Sequence, residues 1–141
     1  MDYEIISEIE VDGMAGDVYR ALTEDEAIRS WWTGDVKVEP DEEADLELGF
    51  YNRAIVLRLV VEDTYPDGRV DWRCIEGPAE YQDCTIVFRI EPSQEKILVE
   101  VTHRGEYGTE EFAELGRQSW DSILKSLKSY VESGDGHPIS E

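Results

Sequence analysis

The chain has 141 residues, 40 % of them hydrophobic, which is enough for one domain with a substantial core. Its 34 acidic and 13 basic side chains give a formal net charge of −21, which argues against nucleic acid as a partner because phosphate binding depends on cationic contacts. No apolar run reaches the roughly 18 residues of a membrane span and the first residues do not resemble a signal peptide, so we expect a cytoplasmic protein without a membrane span.

The first predicted elements are one strand and two short helices. Residues 3–11 alternate between apolar and polar side chains, which predicts a strand with one inward face. Residues 18–22 indicate a short helix. A second helix is predicted to begin at Thr23, because Thr23-Glu24-Asp25-Glu26 has the form of a capping box, and it carries Trp31 and Trp32.

The middle of the chain is typical of six antiparallel strands separated by turns. The strands are predicted at residues 36–38, 46–50, 54–61, 69–76, 81–91 and 96–104. One parity is apolar and the other carries charges, so one face of the sheet should cover the core. The inward set is Leu46, Leu48, Phe50, Ile55, Leu57, Leu59, Val61, Val70, Trp72, Cys74, Cys84, Ile86, Phe88, Ile90, Ile97, Val99, Val101 and His103.

A long amphipathic helix is predicted from Glu110 to Val131, with Gly134 as a left-handed cap. Its apolar stripe is Phe112, Leu115, Ser119, Trp120, Ile123, Leu124, Leu127, Tyr130 and Val131. These elements predict an α+β fold in which one curved antiparallel sheet wraps around the long C-terminal helix. We expect a single domain over residues 1–133 and a flexible tail over 134–141.

The order of elements, together with several short motifs, resembles the helix-grip layout of the START-like superfamily. Residues 17–23 and 28–32 resemble the opening motif of proteins related to the activator of heat-shock-protein-90 ATPase, and residues 70–72 and 102–105 and the helix around Trp120 resemble its later markers. Gly16-Asp17 stands where that group usually has Pro-Glu. The resemblance implies a helix-grip fold in a group that includes ligand binders, a few enzymes and co-chaperone domains.

The resemblance and the inward-facing residues together favour a protein that binds a small hydrophobic molecule in an apolar cavity between helix and sheet. The predicted ligand-binding residues are Trp31, Trp32, Phe50, Trp72, His103, Phe112 and Trp120. Because Trp31 and Trp32 are adjacent at a helix end, we expect one of them at the cavity rim. One alternative is a co-chaperone-like regulator of heat-shock-protein-90 ATPase that acts by protein contact.

A further alternative is a polyketide-cyclase-like enzyme that uses His103, the only histidine predicted inside and the only catalytic candidate. No inward-facing Asp or Glu is available to orient its ring, so binding is favoured over catalysis. Cys74, Cys84 and His103 share the inward face but lack the spacing of a metal motif, and we predict no metal or other cofactor.

The charge has two interpretations. The acidic residues are spread along the chain, with one dense run at 39–45. This distribution favours a solvated acidic shell, as in a halophilic protein, over a docking surface for a basic partner.

Overall fold

The computed structural model describes residues 1–139, which form seven strands and three α-helices. In chain order the elements are β1 (Tyr3–Val11), α1 (Ala15–Thr23), α2 (Asp25–Trp31), β2 (Asp35–Val38), β3 (Leu46–Phe50), β4 (Ile55–Tyr65), β5 (Arg69–Glu76), a 3-10 helix (Ala79–Tyr81), β6 (Thr85–Ser93), β7 (Lys96–Gly105) and α3 (Glu110–Ser133). The predicted α+β helix-grip fold is confirmed. None of the helices within residues 1–139 has the length and apolar content needed to cross a membrane.

The strands form one antiparallel sheet in the order β1-β7-β6-β5-β4-β3-β2. The first strand therefore pairs with the last one, from Tyr3 opposite Gly105 to Val11 opposite Ile97. The inner parity of the central strands is buried, as the alternation predicts. Val61 is an exception at 38 % exposure, because β4 shifts register after it and continues outward as an exposed hairpin arm.

Helix α3 packs its buried stripe against the sheet and lies along β1. Thr109 caps its start by accepting a hydrogen bond from the Phe112 amide at 3.0 Å, and Gly134 ends it with a φ of 85°. Gly116 lets the helix approach β1 closely, since a Cβ at that position would clash with the Ile5 side chain. Leu115 is 55 % exposed, so its place in the predicted buried stripe is wrong; it faces an open groove on the flank of α3.

Several predicted boundaries are wrong, since α1 already begins at Ala15 and β4 extends to Tyr65 instead of ending at Val61. Thr23 is the last residue of α1 and its hydroxyl donates to the Tyr19 carbonyl at 2.8 Å, so it forms no capping box, and Glu24 precedes α2 instead. Strand β6 begins at Thr85 rather than Tyr81. The Cys74 amide donates to the Cys84 carbonyl and the Asp83 amide donates to the Cys74 carbonyl, so two residues face Cys74 in a β-bulge. Asp83 has a φ of 60°, and regular pairing between β5 and β6 begins only at Thr85.

The segment after α3 crosses α2 and α3. The His137 amide donates to Ser126 Oγ at 2.7 Å, and the Ile139 amide donates to the Trp32 carbonyl at 2.8 Å. Ile139 also forms a parallel bridge with Thr33. The flexibility predicted for residues 134–141 stays a prediction, and residues 140 and 141 lie outside the described part of the chain.

Candidate functional site

A cavity of about 190 Å³ lies between α3 and the strands β3, β4 and β6. Its wall is largely apolar because the inward parity of the sheet meets the buried stripe of the helix there. The apolar side chains of the wall are Trp32, Phe50, Ile55, Leu57, Ile86, Trp120, Ile123 and Ile139. Gly116 and three hydroxyl-bearing residues, Tyr51, Tyr81 and Ser119, complete it.

The structure brings three of the seven predicted ligand-binding residues to this cavity and leaves four outside it. Trp32, Phe50 and Trp120 line it. The other four are not part of its wall; they are Trp31, Trp72, His103 and Phe112. A binding role for any of the seven stays a prediction.

Both adjacent tryptophans at the end of α2 are buried, at 0 % and 2 % exposure, so the expectation of one at the rim is wrong. Their rings are stacked, with 5.4 Å between the ring centroids and an interplanar angle of 14°. Trp31 donates its indole N–H to the Ala21 carbonyl at 2.7 Å, which satisfies its polar end inside the core. The Trp32 ring packs against the rings of Trp72 and Trp120, with centroid-to-centroid distances of 5.7 Å and 5.6 Å.

The cavity adjoins a surface groove on the flank of α3. Tyr51, Ser119, Ile123 and Ile139 line both spaces, so they mark the opening between them. Tyr51 is 56 % exposed and begins a turn in which three successive non-glycine residues, through Arg53, have φ values of 53°, 57° and 66°. This left-handed turn places the Tyr51 ring at the opening.

Tyr81 is a wall residue that the sequence reasoning missed. Its ring stacks on that of His103, with 5.3 Å between the ring centroids, and meets the Phe112 ring edge-on, with 5.6 Å between the centroids. These two contacts fix the orientation of the Tyr81 ring. Its hydroxyl forms no hydrogen bond with any residue in 1–139. Burial raises the pKa of Tyr81 to about 12, so the hydroxyl keeps its proton at neutral pH.

His103 lies beside the cavity, and both of its ring nitrogens take part in a linear chain of hydrogen bonds. Trp120 Nε1 donates to His103 Nδ1 at 3.1 Å, and an indole nitrogen can only donate. Nδ1 is therefore unprotonated, and His103 Nε2 carries the proton and donates it to the Tyr3 hydroxyl oxygen at 3.1 Å. Tyr3 donates in turn to the Glu80 carbonyl at 2.5 Å.

This chain makes His103 a neutral structural group. The residue is 1 % exposed, and burial lowers the pKa of His103 to about 4. Both ring nitrogens have partners, and neither partner is a carboxylate. The arrangement holds α3, β1 and β7 together and offers no free nitrogen for proton transfer.

Cys74 and Cys84 are free thiols, both fully buried on the inner face. Hydrogen bonding to Cys74 and burial raise the pKa of the Cys84 thiol. Within residues 1–139 no three or more His, Cys, Asp or Glu side chains are grouped to hold a metal ion. Both thiols are neighbours of Tyr3 and Tyr81, and neither is part of the cavity wall.

The outer surface is dominated by carboxylates. Every lysine and arginine except Lys125 forms an ion pair with a carboxylate inside residues 1–139. The acidic side chains outnumber the basic ones by more than two to one, and most carboxylates of residues 1–139 form no ion pair within that part of the chain.

The family model described as "Activator of Hsp90 ATPase homolog 1-like protein" matches residues 14–132. No curated protein matches the sequence. Similar solved structures include the solution structure of the Aha1 dimer from Colwellia psychrerythraea, with a TM-score of 0.79 and 24 % identity over 95 % of this chain and 99 % of that one. Protein MLL2253 from Mesorhizobium loti has a TM-score of 0.78 and 14 % identity over 94 % and 99 % of the two chains.

A further similar structure is DynU16, from the dynemicin biosynthetic locus, with a TM-score of 0.80 and 15 % identity over 94 % of this chain and 48 % of that one. At these identities, the three structures establish the shared fold alone.

Proposed function

Because this chain belongs to the family of activator of Hsp90 ATPase homolog 1-like proteins, we propose that it is a START-like protein that binds a small hydrophobic molecule between α3 and the sheet. The observation that carries the proposal is the apolar cavity of about 190 Å³ between α3 and the sheet. Among residues 1–139 the wall contains no charged side chain, so entry of an apolar molecule leaves none of these residues with a buried charge that lacks solvent or a partner.

Binding should be visible in two independent ways. Trp32 and Trp120 line the cavity, so an apolar ligand should change the tryptophan fluorescence. A ligand that binds only the folded state should also stabilise it, by about 2.7 kcal/mol at one hundred times its dissociation constant. A screen of small apolar compounds by melting temperature, followed by fluorescence titration, tests the proposal.

A matched pair of variants separates cavity binding from surface adsorption. Ser119 lies at the opening and is exposed, whereas the neighbouring Gln118 lines the groove but not the cavity. Ser119→Phe should weaken binding and Gln118→Phe should not. Equal effects of the two substitutions, or no response of the wild type to any apolar compound, would count against a cavity ligand.

A second candidate function is regulation of a heat-shock-protein-90 ATPase through protein contact. The family description suggests it, and a groove between α1 and the sheet exposes apolar side chains next to acids, with Val38 at 49 % and Val61 at 38 % exposure beside Glu39 and Asp45. Stimulation of a cognate ATPase by saturating protein, reduced by Val38→Asp, would support it. An ATPase rate unaffected by the protein would oppose it.

A cyclase-like activity of His103 finds no support in the geometry. Its two ring nitrogens are held by Trp120 and Tyr3, and its pKa of about 4 keeps the ring neutral. Binding is therefore the function that this fold and cavity support best.

A further inference from the structure

We infer that the ligand of this cavity is an uncharged molecule with one aromatic ring and an oxygen atom that accepts a hydrogen bond from Tyr81. This inference rests on the proposed function, because it names the class of molecule that the same cavity takes. Three features of the wall carry it: its size, the lack of charged side chains among residues 1–139, and one tyrosine hydroxyl that has no hydrogen-bond partner in the same part of the chain.

Size sets the first limit. The cavity measures about 190 Å³. A protein cavity of roughly 150 Å³ accommodates benzene, whereas pockets for drug-sized ligands span about 300–1,000 Å³. The space therefore fits one six-membered ring with one or two small substituents, and it is too small for two fused rings or a long acyl chain.

Charge sets the second limit. In the described part of the chain, residues 1–139, no Lys, Arg, Asp or Glu side chain belongs to the wall, and the protein as a whole is strongly acidic. A carboxylate ligand would lose its hydration without gaining a cationic partner, which is costly in an apolar site. The surface charge would also repel an anion during approach. A neutral ligand is the one that the wall accepts.

The shape of the wall favours a ring. Trp32, Phe50 and Trp120 contribute three aromatic side chains to a small space. Aromatic pairs prefer offset-stacked or edge-to-face contacts, and these contacts add about 0.5–1.5 kcal/mol beyond the burial of area. A flat ring can make several such contacts at once, whereas a branched aliphatic molecule of the same volume cannot.

Tyr81 supplies the polar anchor. Its ring is held between His103 and Phe112, so its hydroxyl needs no reorganisation to bind a ligand. The hydroxyl has no hydrogen-bond partner in residues 1–139 and stays protonated at neutral pH, so it is available as a donor. An oxygen atom on the ligand ring would satisfy it.

Four probes test the inference: phenol, toluene of similar size without oxygen, benzoate with a charge, and 1-naphthol with a second ring. Dissociation constants come from tryptophan fluorescence and calorimetry on the full chain. We expect phenol to bind at least about tenfold more tightly than benzoate or 1-naphthol. Tighter binding of 1-naphthol or benzoate would overturn the ligand class and leave the proposed function standing.

Tyr81→Phe tests the anchor. Loss of one hydrogen bond should raise the ratio of the phenol to the toluene dissociation constant by about two- to tenfold, with toluene binding unchanged. Tyr107→Phe is the matched control, at an exposed tyrosine that is not part of the cavity wall, and should leave the ratio unaltered. An unchanged ratio in Tyr81→Phe would overturn the anchor. If neither these probes nor any other small apolar compound binds the wild type, the proposed function falls together with this inference.

Discussion

Trp120 donates its indole N–H to His103 Nδ1 across 3.1 Å, and this one bond determines which tautomer the buried histidine adopts. The proton must then sit on Nε2, which faces the Tyr3 hydroxyl. A helix residue thereby fixes the protonation of a strand residue. The consequences for stability are measurable.

The stability of the protein should fall with acidification through His103. Burial lowers the pKa of its ring to about 4 from 6.5, so the unfolded chain binds more protons between these values and stability rises with pH across this window. When the pH is lowered from 7.5 to 5, protonation of this histidine in the unfolded chain should reduce the free energy of unfolding by about 2 kcal/mol. Urea unfolding at both pH values measures it.

The variant His103→Gln serves as the control for that measurement, because it keeps hydrogen-bonding groups at the position but cannot titrate. Carboxylates titrate in both proteins, so the difference between their pH slopes isolates the histidine. Equal slopes would mean that His103 is protonated in the folded state as readily as in the unfolded chain.

The hydroxyl of Tyr3 should contribute to stability in addition to the packing of its ring. Tyr3→Phe leaves His103 Nε2 and the Glu80 carbonyl without their shared partner, and a buried group left unsatisfied costs about 1–3 kcal/mol. Tyr107→Phe, at a residue 53 % exposed, should change stability by less than about 0.5 kcal/mol. Denaturant unfolding compares the two, and similar losses would show that the hydroxyl bridge is unimportant.

Both cysteines should resist alkylation in the folded protein. Cys74 and Cys84 are fully buried, so the reagent cannot reach either sulfur while the fold is intact. The hydrogen bond between the two thiols raises the pKa of Cys84 and lowers that of Cys74, so the protection of Cys74 rests on burial alone. Mass spectrometry after iodoacetamide treatment should show no adduct on the native protein and two adducts in denaturant. Ser93→Cys, at an exposed position, provides a reactive reference. Native labelling at the rate of that reference would refute the prediction.

Salt should stabilise the protein strongly. Most carboxylates of the described residues have no cationic partner there, and the repulsion among the excess acidic side chains is screened by added ions. We expect the melting temperature to rise by about 4 °C or more between low and molar potassium chloride. Glu42→Gln with Glu43→Gln, in the dense acidic run, should reduce this rise. A melting temperature that is flat with salt would remove the halophilic interpretation.

Much of the fold could be predicted because the sequence alternates with the period of its strands. The inward parity from Leu46 to His103 and the start of α3 at Glu110 both follow from local patterns. Thr23 shows the limit of such patterns, because its hydroxyl can cap a new helix or bond back into the old one. Only the packing of α1 against α2 decides between them.

The site could be predicted less well because it depends on contacts between distant segments. Phe50 faces inward by strand parity and Trp120 lies on the apolar stripe of α3, and both reach the cavity. Trp72 also faces inward, but Trp32 packs against it, and Trp72 lines the groove near α1 instead. Tyr81 lies in a 3-10 helix that alternation mistakes for a strand, and Ile139 comes from a segment with no regular pattern.

The hydrogen-bond chain through His103 also bears on how the protein folds. Its three bonds join residues 17, 77 and 100 positions apart, so the whole chain of bonds is complete only when β1, β7, the 3-10 helix and α3 have all assembled. Interactions that form after the transition state affect the unfolding rate and leave the folding rate nearly unchanged. This chain of hydrogen bonds should therefore slow the unfolding of the native protein. Losing one bond would shorten the lifetime of the native state without slowing its formation.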